Sequence, residues 1–244
     1  MRKGTTMNEM YLSSAELEEL GEGLVKAYQK GEQKDDQVDI EGFIRDYLKL
    51  PIEYAKFAEE DKDKIGFLSD GMTPLRVFQK GYVTQVCFPK GTIVLDDFLQ
   101  DENEKGRKRF TLAHEASHFL MERMNPEGIS ASFHSEYDEE RNYTLEDLAK
   151  RLTLAEYQAD RMAAAILMPR YMVEKALLRF NGGKPLPIYG DNLFRKAEKI
   201  IIAQMAQMLG VSFTALRIRL KGFKLLEQHD ISEYIQQELK LGGI

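Results

Sequence analysis

Two histidines stand four residues apart, His114 and His118, in a stretch whose apolar spacing predicts a helix from about Lys108 to Met124. No other pattern constrains the chain as much. On a helix, positions i and i+4 share a face with Cβ atoms about 6 Å apart, so both imidazoles converge on one point. That suits two positions of a tetrahedral Zn²⁺ site, with Zn–N bonds of about 2.0–2.1 Å. A second element must then come close enough to complete the site.

Glu115 lies beside the first histidine, placed so that its carboxylate reaches a water on the metal rather than the metal itself. His114-Glu115-Ala116-Ser117-His118 is therefore the HExxH arrangement of zinc peptidases. In a chain of 244 residues with 4 histidines, random placement gives roughly 0.007 such matches. A solvated His/Glu helix face is the bland alternative, and this count weighs against it.

A catalytic zinc needs a third protein ligand and an open fourth position. His134, His229 and the carboxylates are available, and Glu156 fits best. It lies on the next predicted helix, Leu145 to Met168, with Asp160 one turn on and Ala155, Ala159, Ala163, Ala164 and Ala165 around it. Small side chains allow two helices to approach closely. Asp160 can then accept the second ring N–H of a ligating histidine and fix its tautomer. His134, in the long predicted loop Asn125 to Tyr143, is either a surface histidine or a stabiliser of the oxyanion, a role for which Tyr137, Tyr143 and Tyr157 compete.

These residues resemble a known family. Arg109 to His118, Glu156-Tyr157-Gln158-Ala159-Asp160 and Ala165-Ile166-Leu167-Met168-Pro169 are similar to the signature of the ImmA/IrrE metallo-endopeptidases. Gly66 to Leu75 and Phe88 to Asp96 also resemble members of that family, and the likeness covers roughly residues 50 to 180. It implies a gluzincin-like α+β fold, with one zinc ion per chain bound by His114, His118 and Glu156. Glu115 is the implied base and Asp160 the implied orienting partner. It further implies a protein substrate, a helix-turn-helix repressor of the XRE type, whose cleavage relieves repression of mobile-element or stress genes in bacteria.

The rest of the chain supplies the frame. An N-terminal helical segment, 1–50, is read from Ser13 or Ser14 as cap and from Leu17, Leu20, Leu24 and Tyr28. A second short helix follows over Ile40 to Leu48. Ile65–Leu68, Leu75–Phe78, Tyr82–Phe88 and Thr92–Leu95 alternate with Asp70-Gly71, Lys80-Gly81 and Pro89-Lys90-Gly91, which reads as an antiparallel meander. A substrate peptide could add along its edge at Thr92–Leu95. The expected architecture is a zincin-like core, 51–180, with a small antiparallel or mixed sheet packed on the active-site helix. A C-terminal helical segment, 181–244, follows the linker Asn181 to Pro187. Within it, Ala206 to Ser212 and the basic residues Arg217, Arg219, Lys221 and Lys224 resemble a helix-turn-helix. A zinc-binding regulator or a DNA-binding protein without peptidase activity is the alternative reading.

Composition narrows the setting. The chain is 43% hydrophobic and 30% charged, with a formal net charge of −6, which argues against nucleic acid as the main ligand. No apolar run approaches the roughly 18–20 residues of a membrane span. Met1 to Met10 shows no apolar stretch of a secretory signal. The single cysteine, Cys87, between Val86 and Phe88, reads as a buried strand residue, and a reducing cytoplasmic location is expected.

Overall fold

The computed structural model describes residues 12–30, 36–124, 132–135 and 153–239. The first helix, α1 (Ser14–Tyr28), begins at a capping box. Ser13 Oγ accepts from the Glu16 N–H, and the Glu16 carboxylate accepts from the Ser13 N–H at 2.8 Å. Leu17, Gly21 and Val25, four residues apart, form its buried stripe. A short helix, α2 (Ile40–Gly42), runs into a π turn, Phe43–Tyr47.

The main sheet has four strands in the order β1 (Ile52–Ala55), β5 (Ile93–Asp96), β2 (Lys64–Leu68), β6 (Ser132–Ser135). β1 runs parallel to β5, with Ile52 opposite Ile93, and β2 is antiparallel to both β5 and β6. This corrects the expected meander. β5 lies inside the sheet, so it offers no edge to an added peptide. Its Ile93-Val94-Leu95 run is buried on both faces, the pattern of an interior strand. The expected loop from Asn125 also contains strand β6.

β3 (Leu75–Gln79) and β4 (Tyr82–Val86) form a separate hairpin, with Leu75 opposite Val86 and Gln79 opposite Tyr82. Its two-residue turn, Lys80-Gly81, has φ of 53° and 90°, as a type I′ turn demands. Leu75 and Val77 pack with Phe67 and Val94 on one face of the main sheet. The other face, through Ile65, Leu68, Ile93 and Leu95, joins the large core under the helices. Cys87 lies past the end of β4 and is exposed, with its thiol donating to the Met72 carbonyl at 3.4 Å. Its apolar neighbours do not put it in the core.

Helix α3 (Lys105–Met124) lies on the helical face of the sheet and buries Leu112, Ala113, Ala116 and Phe119. α4 (Leu154–Leu167) packs between α3 and α1. A Cβ placed on Gly21 of α1 would lie 2.6 Å from Ala165 Cβ of α4, so the two helices meet at van der Waals distance only because that residue is glycine. The expected unbroken helix from Leu145 is ruled out at Thr153, whose backbone is extended and whose Oγ1 caps the Glu156 N–H. Residues 145–152 lie outside the described residues.

Beyond Pro169 come α5 (Arg170–Asn181), β7 (Leu186–Tyr189), α6 (Lys196–Leu209), α7 (Phe213–Gly222), β8 (Leu226–His229) and α8 (Ile231–Tyr234). The expected linker thus contributes β7, which pairs in parallel with β8, so the C-terminal segment is not helical throughout. Leu17, Leu112, Ile202, Leu209 and Leu220 all belong to one core. The architecture is α+β, and no single helix among the described residues is long and apolar enough to cross a membrane.

Candidate metal centre

The site is built where α4 crosses α3. His114 and His118 are 1% and 5% exposed, and Glu115 between them is fully buried. Their Nε2 atoms lie 3.0 Å apart, so both rings present the same nitrogen to one point. Ser117 leaves no unmet hydroxyl beside them, since its Oγ donates back to the Ala113 carbonyl at 2.7 Å. Across the interface, Thr153 caps α4 and sets Glu156 in the first turn, where the helix dipole favours a carboxylate. Its oxygens lie 3.2 Å from His114 Nε2 and 3.3 Å from His118 Nε2. One turn later, Asp160 Oδ1 lies 2.9 Å from His114 Nδ1.

These distances fit a small ion. With bonds of about 2.0–2.1 Å, a tetrahedral zinc separates its ligand atoms by roughly 3.3 Å. The two Nε2 atoms stand 3.0 Å apart, and each faces its own oxygen of the Glu156 carboxylate, Oε2 at 3.2 Å from His114 and Oε1 at 3.3 Å from His118. His114, His118 and Glu156 are the group that could hold a metal ion among the described residues. Two imidazoles and a carboxylate suit zinc better than Mg²⁺ or Ca²⁺, which take oxygen ligands. A proton on Nδ1 facing Asp160 would turn the Nε2 lone pair toward His118 and Glu156, the side on which an ion would sit.

The same groups explain how protons settle when no ion competes. Burial disfavours a charged His114, but hydrogen bonds to Asp160 and Glu156 and the charge of Glu115 outweigh it, and the pKa is pushed up to about 10. His118 is driven the other way, first by burial and then by the charge of His114 at hydrogen-bond distance. One proton is shared where two would repel. Burial raises the Glu156 carboxyl, but the two histidines overcome this and hold it far below the usual carboxylate range.

Other sequence candidates fall elsewhere. His229, on β8, pairs with Glu233 at 3.1 Å and takes no part in the cluster. Tyr157 is exposed, and its hydroxyl stands 3.3 Å from Ser14 Oγ on α1. His134 falls on β6, its Cα opposite Gly66, while Tyr137 and Tyr143 lie outside the described residues. α7 turns 100° from α6, an angle common in helix-turn-helix units. Yet Arg219, one of the expected basic readers, is 5% exposed and bonds Glu18 and the Met168 carbonyl. It is a core tie rather than a probe of the surroundings.

Two further residues position the site. Thr153 is legible in the sequence, because Thr153-Leu154-Ala155-Glu156 follows the S/T-x-x-E capping pattern. Arg109 opens the family-like stretch, but no sequence pattern reports its burial. It is buried one turn before His114, and donates from Nη2 to the Val38 carbonyl at 2.9 Å and from Nε to the Gly210 carbonyl at 3.0 Å. Gly210 has φ 67°, a left-handed backbone that favours glycine, and a Cβ there would lie 2.6 Å from Gln37 Oε1 and 3.1 Å from Arg109 Nε.

A scan against family models matches residues 45–221 to the IrrE N-terminal-like domain, Peptidase_M78. A search of curated proteins finds no match. The matched span extends past the motif-bearing stretch at both ends and takes in α6 and α7. It covers well over half of the chain, which therefore belongs to this family of metallopeptidase-like, IrrE N-terminal-like domains.

Proposed function

We propose that the chain is a zinc-dependent metallo-endopeptidase that cleaves a protein substrate, a helix-turn-helix repressor of the XRE type. The observation that carries the reading is the convergence of two Nε2 atoms 3.0 Å apart with a carboxylate whose oxygens lie 3.2 and 3.3 Å from them, and with Asp160 behind His114. Zinc held there by His114, His118 and Glu156 would supply Lewis acidity, polarising a scissile carbonyl and acidifying water. Glu115 takes the proton of the attacking water and passes it to the leaving amine. Its place beside His114, fully buried on the same helix, supports this role. Asp160 steadies the His114 ring. His134, from its place on β6, is the candidate to stabilise the oxyanion.

Residues 51–180 would carry the zincin-like chemistry, with 1–50 and 181–244 bracing it. The substrate peptide would extend along β6, which among the described residues is an outer strand of the main sheet. The regulator reading is weaker. A structural zinc closes its fourth position with protein, whereas three donors gather here among the described residues. The test is incubation of the zinc-loaded protein with helix-turn-helix repressors encoded beside it. Glu115→Gln should retain one zinc and lose cleavage by about a hundredfold or more. Equal cleavage by the variant would overturn the mechanism, and zinc binding without cleavage of any such repressor would favour the regulator.

A further inference from the structure

The β3–β4 hairpin stands apart from the metal centre, on the far face of the sheet, and its outer strand is constructed unlike a protected edge. Phe78 N–H donates to the Lys56 carbonyl, and Ala58 N–H donates to the Arg76 carbonyl. Arg76 and Phe78 thus spend their backbone groups on the chain at 56–58. Leu75, Val77 and Gln79 then pair with Val86, Thr84 and Tyr82. By the alternation of an antiparallel ladder, the N–H and C=O of Val83 and Gln85 point outward. Among the described residues no strand pairs with that side.

Proteins guard such edges with charge, proline or a bulge. Tyr82-Val83-Thr84-Gln85-Val86 has none of these. Tyr82 is 61% exposed and Val83 49%, with Phe78 beside Val83 at 45%. The segment itself carries charge of one sign, while Glu59, Glu60 and Asp70 border it on the β3 side and at its start. From Gly71 to Leu95 there is no Asp or Glu, in a chain that carries 40 of them; the charged residues there are Arg76, Lys80 and Lys90. Arg76 is taken by Glu60 at 2.9 Å, which leaves the exposed Lys80 and Lys90 bracketing β4 at its two ends.

We infer that β4 is a docking edge for an extended segment of a partner protein, uncharged and β-forming in its middle and acidic at its ends, added as a strand alongside Val83 and Gln85. A second copy fits less well. One short edge with a few apolar side chains falls short of the roughly 1,200 Å² that a stable interface buries. Strand addition gives main-chain bonds and modest affinity without that area.

The test uses the full chain with chelator present, so it is independent of the metal site. The probe is a capped nine-residue peptide of alternating threonine and valine with two acidic residues at each end. The expected result is saturable binding that slows amide exchange at Val83 and Gln85 and leaves Thr84, already bonded to β3, unchanged. Gln85→Pro, which removes an outward donor and no bond to β3, should weaken binding by about tenfold or more. If that variant melts early, Lys80→Glu with Lys90→Glu decides instead, and should transfer the preference to a peptide with basic ends. No binding, binding indifferent to both variants, or protection confined to other strands overturns the inference. So does a concentration-dependent dimer lost in Gln85→Pro, or an oligonucleotide that protects these amides more strongly than the peptide.

Discussion

Asp160 Oδ1 lies 2.9 Å from His114 Nδ1, although the aspartate side chain is 54% exposed and the histidine 1%. A half-exposed carboxylate thereby meets one nitrogen of a buried ring across the α3–α4 seam, while the other nitrogen faces His118 and Glu156. Orienting partners of this kind typically contribute 10–100-fold to metal affinity. Asp160→Ala should therefore weaken zinc binding by about 10–100-fold, measured by competition with a chromophoric chelator. An unchanged affinity would show that α3 packing alone orients the ring.

Glu156→Ala should abolish stoichiometric zinc binding while the fold survives. Glu156 is only partly buried, at 23% side-chain exposure, so its removal leaves no large cavity. Metal content after dialysis and a circular dichroism melt, taken together, distinguish loss of the ligand from loss of the fold.

In chelated protein the cluster makes stability depend on pH in a defined direction. The His114 pKa is raised in the folded state from 6.5 to about 10. Its contribution is therefore complete below pH 6.5 and is lost as pH rises toward 10. Glu156 is depressed from 4.5, so its contribution is present above pH 4.5 and fades as pH falls below. The melting temperature of the chelated protein should decline between pH 7 and 10, while zinc-loaded protein, with the proton displaced, should lack that decline. Identical profiles for the two forms would contradict the proton-sharing cluster.

Gly21 and Gly23 sit two residues apart on α1 and should respond oppositely to alanine. Alanine gains roughly 0.5–1 kcal/mol over glycine within a helix. At Gly23 a Cβ meets nothing within 4 Å, so that gain should appear in urea unfolding. At Gly21 it meets Ala165 Cβ at 2.6 Å, and overpacking of about 1–3 kcal/mol should exceed the gain. Two substitutions of the same sign would refute the close α1–α4 contact.

Arg219→Ala should destabilise by about 2–4 kcal/mol in the same assay. It leaves the Met168 carbonyl without its donor and Glu18 with only Arg161, 3.9 Å away. Arg219→Lys should recover little, because an ammonium cannot serve both acceptors in the plane of a fork. A negligible loss would return Arg219 to the surface role its sequence suggested.

The gathering of His114, His118, Glu156 and Asp160 was legible because these residues obey helical arithmetic. His114 and His118 share a face by spacing alone, and Asp160 follows Glu156 by one turn, so only the crossing of two helices had to be supplied. The sheet was harder. β1 pairs in parallel with β5 across some forty residues, and no local pattern reports a non-local partner, so Thr92–Leu95 passed for an edge. Cys87 and Arg219 failed for a related reason. Residue type gives chemistry, but direction depends on the neighbours that folding brings. Cys87 stands between apolar residues and faces out, while Arg219 stands among basic ones and faces in.

Arg109 ties the carbonyls of Val38 and Gly210 to the helix that carries His114. Two stretches distant in sequence therefore share responsibility for where one imidazole sits. Trimming either flank would leave a buried cation facing an empty socket within two turns of the metal ligands. Zinc affinity should then report on the integrity of regions remote from the candidate ligands, and the motif-bearing middle of the chain should not reproduce it alone.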